Sequence, residues 1–192
     1  MASSSLARWR TSRAQQLDEI EAAHAAVGGT KRGRRWATRE VNHAYTVMIS
    51  SQFQGFCRDL HSESIDYIVS SVRPASLQNV LRAEFTLDRK LDRGNPNPGN
   101  VGSDYGRLGV SLWPRARARD SRTSIRMDRL EELSAWRNAI AHQDFAPKQP
   151  LEPATITLKT VKQWRRSCNG LAGTFDRVMS AHVAKFTGTA PW

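Results

Sequence analysis

The sequence predicts an all-α fold. Apolar residues recur at steps of three and four through almost the whole chain, which is the helical period. Strand-like alternation is confined to Ala154–Leu158, too short and isolated to start a sheet. Glycine and proline fall in clusters that separate long periodic runs, as helix stops do. The expected architecture is a bundle of about five to seven helices with a mobile loop near residues 93–103. Residues 1–34 read as an N-terminal helical extension and residues 35–192 as the main helical domain.

The first helix carries Leu6, Trp9, Leu17, Ile20, Ala23 and Val27 and stops at Gly28-Gly29. A much longer pattern runs from about Trp36 to Val72, through Val41, Tyr45, Ile49, Phe53, Phe56, Leu60 and Ile65, and Pro74 ends it. Pro74-Ala75-Ser76 opens a third helix bearing Leu77, Val80, Leu81, Phe85 and Leu91. Arg93–Ser103 holds three glycines, three asparagines and two prolines, the composition of a loop. Asp104 is expected to cap a short helix reaching Leu112, and a basic run begins at Pro114. Ser124–His142 is a strong helical pattern, Asp144–Pro153 a proline-punctuated loop. The last helix spans about Lys159–Phe186, with Val161, Trp164, Cys168, Leu171, Phe175, Val178 and Val183 on one face.

Composition narrows the function classes. Cys57 and Cys168 are too few for a disulfide framework or a four-cysteine zinc site, and read as reduced core residues of a cytoplasmic protein. His24, His43, His61, His142 and His182 lack metal-ligand spacing, so neither a metal site nor a cofactor is expected. Gly28-Gly29-Thr30-Lys31 lacks the rest of a phosphate-binding loop, and no run is apolar enough to span a membrane. The net charge is +11, and 23 of the 29 basic residues are Arg. Guanidinium forks engage phosphate oxygens in pairs, so the expected partner is a nucleic acid. The competing reading is purely compositional, a chain from a GC-rich genome. Pro114–Arg129 concentrates six Arg in sixteen residues, and Arg115, Arg117, Arg119 and Arg122 are the candidate RNA contacts. The plain alternative is a solvated helix start partly neutralised by Asp120 and Asp128. Trp9, Trp136 and Trp164 fall on apolar faces, while Trp113 and Trp192 are candidates for base stacking.

In the helix from Ser124, the residues Leu130, Leu133, Trp136, Ile140 and Ala141 make one apolar face at about 100° per residue, and Arg137 falls in its middle. A guanidinium there needs a carboxylate such as Asp66 or Glu132, or a polar seam. Asn138 and His142 are four apart on the flank of that face. Arg, Asn and His are the groups that phosphodiester cleavage uses: His moves a proton near neutral pH, Arg holds charged phosphoryl oxygens, Asn orients either. A second Arg/His pair of the same spacing, Arg177 and His182, reads as a solvated pair in the last helix.

The wording Arg137-Asn138-Ala139-Ile140-Ala141-His142 resembles the R-x4-H signature of HEPN domains, all-α proteins whose active members are ribonucleases. Leu130-Glu-Glu-Leu133 with Trp136 is similar to the usual run before that signature. Ile49–Leu60 resembles the long early helix of the RiboL-PSP-HEPN-like branch. The likeness covers about Arg35 to Phe186. It implies a two-fold homodimer with facing motif helices, no metal, and catalytic roles for Arg137, Asn138 and His142. His142 would act on the ribose 2′-OH and the leaving 5′-oxygen, Arg137 on the phosphorane charge, and Asn138 on the phosphate or imidazole. The products would be a 2′,3′-cyclic phosphate and a 5′-hydroxyl. It further implies a toxin or anti-phage effector held in check by an antitoxin or other operon partner. The alternative it leaves open is a silent RNA-binding or dimerisation module.

Overall fold

A computed structural model describes residues 1–28, 35–145, 151, 153 and 155–192. They are helical, without strands: α1 (Ser4–Arg8), a π turn (Trp9–Arg13), α2 (Ala14–Gly28), α3 (Arg35–Ser70), α4 (Ala75–Thr86), α5 (Lys90–Arg93), α6 (Pro98–Gly106), α7 (Leu112–Arg119), α8 (Thr123–His142) and α9 (Leu158–Thr187).

The spine is α3. Its Tyr45, Ile49, Phe53, Phe56, Leu60 and Ile65 are fully buried, and α2, α8 and α9 pack around it. The largest fully buried side chain, Trp164 of α9, donates its indole N–H to Glu132 of α8 at 3.0 Å, so even the centre of the bundle satisfies its polar atom.

The N-terminal helix shares this core. Ser3 caps α1 by accepting from Leu6 N at 3.0 Å, and Glu63 of α3 accepts from Ser4 N and Ser5 N at 2.9 Å each. A carboxylate at a helix N-terminus satisfies otherwise orphaned donors. The π turn has a packing consequence. Trp9 and Leu17, eight residues apart, would lie about 80° apart on a regular helix; one residue absorbed by the turn brings them to about 20°. Both are buried, Trp9 against Phe53 and Phe56. Beyond the turn, Glu21 accepts from Tyr45 and pairs with Arg165 at 2.9 Å and Lys162 at 2.7 Å, tying α2 to α3 and α9.

Three expectations are corrected. Residues 93–103 are not an open loop: Asn97 caps α6 by accepting from Asn100 N at 2.7 Å, Pro98 occupies the first turn, and Asn95, Pro96 and Val101 are buried. Asn and Pro punctuate loops, but they also start helices, and here they do the second. This short helix, with α5 and α7, makes the bundle more finely divided than five to seven helices. Asp104 caps a different helix from the one expected: buried inside α6, its carboxylate accepts from Lys90 N at 2.9 Å and Leu91 N at 2.8 Å, at the start of α5. Finally, α4 buries no residue, and Leu77 and Val80 face outward.

Candidate functional site

The motif helix α8 ends abruptly. Gln143 adopts the left-handed conformation (φ 54°), its N–H reaches Ile140 O at 3.4 Å, and Asp144 N donates to Ala139 O at 3.0 Å. This pair of reversed bonds is a Schellman termination, here on a residue other than glycine. His142 is therefore the last helical residue. It is exposed and has no hydrogen-bond partner among the described residues.

Arg137 does lie on the azimuth of Leu130 and Leu133, yet it is only half-buried. The last turn of α8 projects past its neighbours: Ala141, expected on the apolar face, is exposed, and Ala139 is buried in its place. A carboxylate partner for Arg137 is not what the fold provides. Asp66 pairs with Arg82 at 2.9 Å, and Glu132 pairs with Arg129 at 2.9 Å. The Arg137 guanidinium donates instead to the side-chain carbonyl of Asn138 at 3.2 Å. The same oxygen accepts from Asn95 at 3.0 Å, and Asn95 also reaches Ser134 O at 3.5 Å. Asn95 is thus a member of the site that the chain's periodicity does not single out; its signal is the Asn-Pro-Asn-Pro run, which starts a helix here rather than a loop.

On the other side of α8, Phe145 stacks on His43 with centroids 5.7 Å apart, and His43 lies 6.3 Å from Trp136. Burial holds the His43 pKa below the ordinary histidine value.

The basic tract stands at the opposite end of this helix. Arg122 is the N-cap of α8, about 22 Å from Arg137 along the axis at roughly 1.5 Å per residue. The fold does not bring the two sets together. Within the tract it sorts the arginines: Arg126 pairs with Asp120, and Arg129 with Glu132. Backbone N–H donation from Arg122 and the Arg126 guanidinium hold the Asp120 carboxyl below its usual range. Arg117, Arg119 and Arg122 are exposed and Arg115 half-buried, and none of the four has an ion-pair partner among the described residues.

Other candidates are reassigned. Trp113 is built into the fold: it forms a T-shaped pair with Phe175 at 5.2 Å and donates to Pro98 O at 2.9 Å, filling the α6–α7 corner. Trp192 lies against Tyr67 at 5.5 Å. His182 is not a solvated partner of Arg177. It is buried, with Nε2 2.7 Å from Leu108 O, because this stretch of α9 is covered by the α6–α7 connection. Cys57 and Cys168 are buried free thiols, pushed up in pKa by burial. Among the described residues no group of three or more His, Cys, Asp or Glu could hold a metal ion, and no helix is long and apolar enough to cross a membrane.

In comparisons with known proteins, no family model, no curated protein and no solved structure matches the chain.

Proposed function

We propose that the chain is a HEPN-type endoribonuclease that cleaves RNA without a metal, at a site completed by a second copy of itself. The observation that carries this reading is the end of α8, where Arg137, Asn138 and His142 meet solvent together and Arg137 has only the neighbouring amide for a partner. A half-buried arginine left without a carboxylate is disposed toward an anion. His142, at the helix terminus, is free to move a proton between the ribose 2′-OH and the leaving 5′-oxygen. Arg137 faces the charge that develops on the phosphorane. These groups lie on an open surface, so a two-fold partner supplies the opposing wall and a second set of the same residues. A toxin or anti-phage role, restrained by an operon partner, is the biological setting this chemistry suits.

A second reading, an RNA-binding or dimerisation module that does not cleave, is favoured by one observation. The Asn138 carbonyl is already occupied by Asn95 and Arg137, which suits a residue that docks a segment.

The test is cleavage of single-stranded RNA with chelator present. His142→Ala and Arg137→Ala are expected to lower the rate by roughly 10²-fold or more, with DNA of the same sequence untouched. Full activity in both variants sinks the ribonuclease reading. Sedimentation showing only monomer at tens of micromolar removes the composite site.

A further inference from the structure

The strongest charged feature outside the motif lies where α9 meets the N-terminal helix. A side-chain carbon placed on Gly173 of α9 would have the Arg177 guanidinium at 3.6 Å and the Arg10 guanidinium at 3.9 Å. Two guanidinium groups, from the π turn and from α9, thus converge on one point of the surface. Both guanidinium nitrogens lie within 3.9 Å of that one point, so two positive charges face it, and an anion seated there would relieve their repulsion. The nearby carboxylates are engaged elsewhere. Asp176 accepts from Ser3 N at 3.1 Å, Asp120 is held by Arg126 and by Thr174, and Asp18 pairs with Arg165 at 2.7 Å. Neither Arg10 nor Arg177 has an ion-pair partner among the described residues, and both are exposed.

The position of this pair gives it a partner class. Arg177 donates to Thr174 at 3.3 Å, and Thr174 in turn meets Asp120 at 3.4 Å, at the α7–α8 corner between Arg119 and Arg122. Arg126 from the same corner lies across Gly170, one turn before Gly173. On the far side, Arg10 walls a cleft with Trp9, Ala14, Arg165 and Asn169. These arginines mark out a furrow from the α7–α8 corner across α9 to the N-terminal helix, in which the carboxylates of Asp120 and Asp176 are already engaged. A single point anion would need one pair of arginines; a furrow of several fits a chain of phosphates.

We propose that Arg10 and Arg177, converging over Gly173, clamp the phosphate backbone of a single-stranded nucleic acid and extend the tract of Arg115, Arg117, Arg119 and Arg122 across α9. As a clamp for the strand to be cut, it rests on the ribonuclease reading above; as a phosphate site, it stands apart from it. The furrow reads backbone charge, so it does not require a 2′-OH.

The experiment is a salt series of fluorescence anisotropy with a labelled 2′-O-methyl oligonucleotide, which binds but cannot be cut by 2′-OH attack. Arg10→Gln with Arg177→Gln removes two charges from the furrow. Arg58→Gln with Arg73→Gln removes two from exposed sites elsewhere and serves as the control. The furrow pair is expected to weaken binding roughly tenfold and to flatten the salt dependence by about 0.7 in slope for each lost contact. The control pair should change the slope by much less. Equal effects from the two pairs overturn the clamp, as does a wild-type protein that fails to bind the oligonucleotide at low salt, which would assign the furrow to an acidic protein. Cleavage by wild type without a clamp effect overturns this inference alone. A clamp effect without cleavage of unmodified RNA overturns the ribonuclease reading alone.

Discussion

The two ends of α8 handle arginine in opposite ways. At its start, Arg126 and Arg129 are locked to Asp120 and Glu132, while Arg115, Arg117, Arg119 and Arg122, in α7 and at the N-cap of α8, have no ion-pair partner among the described residues. At its end, Arg137 sits on the core azimuth without a carboxylate, its guanidinium on the Asn138 amide, and His142 is solvent-exposed at the helix terminus. A tract of unpaired arginines beside fixed ion pairs is, in the ribonuclease reading proposed above, the surface that holds the polyanion. A lone arginine with a histidine and an asparagine is, in that same reading, the set of reacting groups. Binding and chemistry are thus proposed for separate ends, and a substrate must span about 22 Å to engage both on one protomer.

The sharpest way to break the comparison uses the second Arg/His pair of identical spacing. Arg177 and His182 have nothing of the motif's geometry. His182 is buried with its Nε2–H aimed at Leu108 O, so His182→Ala leaves that carbonyl unpaired and a void in the core. The expected loss is about 2–3 kcal/mol of stability, measured by urea unfolding, with unchanged cleavage by the molecules that remain folded. His142→Ala should show the reverse, with full stability and no cleavage. If both variants lose stability alone, the end of α8 is structural and the comparison collapses.

Next in size is acid sensitivity. Burial, with the Arg89 guanidinium beside it, pulls His61 down to about 4, and burial also lowers His43 and His182. For a base whose folded pKa lies below its unfolded one, the unfolded chain takes up more protons as the pH drops. Stability should therefore fall as pH decreases from about 6.5 toward 4, by at most about 1.4 kcal/mol per pH unit for His61. Glu21 reinforces the loss further down. Burial opposes its ionisation, but bonds from Lys162, Tyr45 and Arg165 outweigh that and hold its pKa at about 2. Denaturation midpoints at pH 7 and pH 5 measure the slope. His61→Gln should flatten it, and a slope that survives the substitution would assign the effect elsewhere.

What could be read from the chain was local and periodic. The expected Trp36–Val72, Ser124–His142 and Lys159–Phe186 correspond to α3, α8 and α9 within two residues at each end, and Trp9, Trp136 and Trp164 are buried as their spacing requires. The motif residues were legible for the same reason, lying within one turn and a half of one helix. What escaped depends on contacts between distant segments. Asn95 reaches Asn138 from a run that composition marks as loop, and Arg10 approaches the same point over Gly173 as Arg177 from the other end of the chain. Periodicity also cannot tell where a helix outruns its neighbours, which is why Ala141 was expected inside and is outside, and why Leu77 and Val80 promised a core face that α4 does not bury.

The smallest expected effect tests whether the end of α8 is held in place for a purpose. Gln143 occupies a left-handed position that costs a side-chain-bearing residue about 1 kcal/mol relative to glycine. Its side-chain amide donates to Ile140 O at 2.8 Å, which returns part of that cost. Gln143→Gly should then stabilise the protein by something under about 1 kcal/mol, read as a higher urea midpoint. It also removes the bond that anchors the turn immediately after His142 and frees the backbone there. If the imidazole must be positioned to within a fraction of an ångström, as proton transfer demands, cleavage should fall several-fold while stability rises. A variant that is both more stable and fully active would show that the turn merely ends the helix, and that His142 finds its geometry from the partner protomer and the RNA.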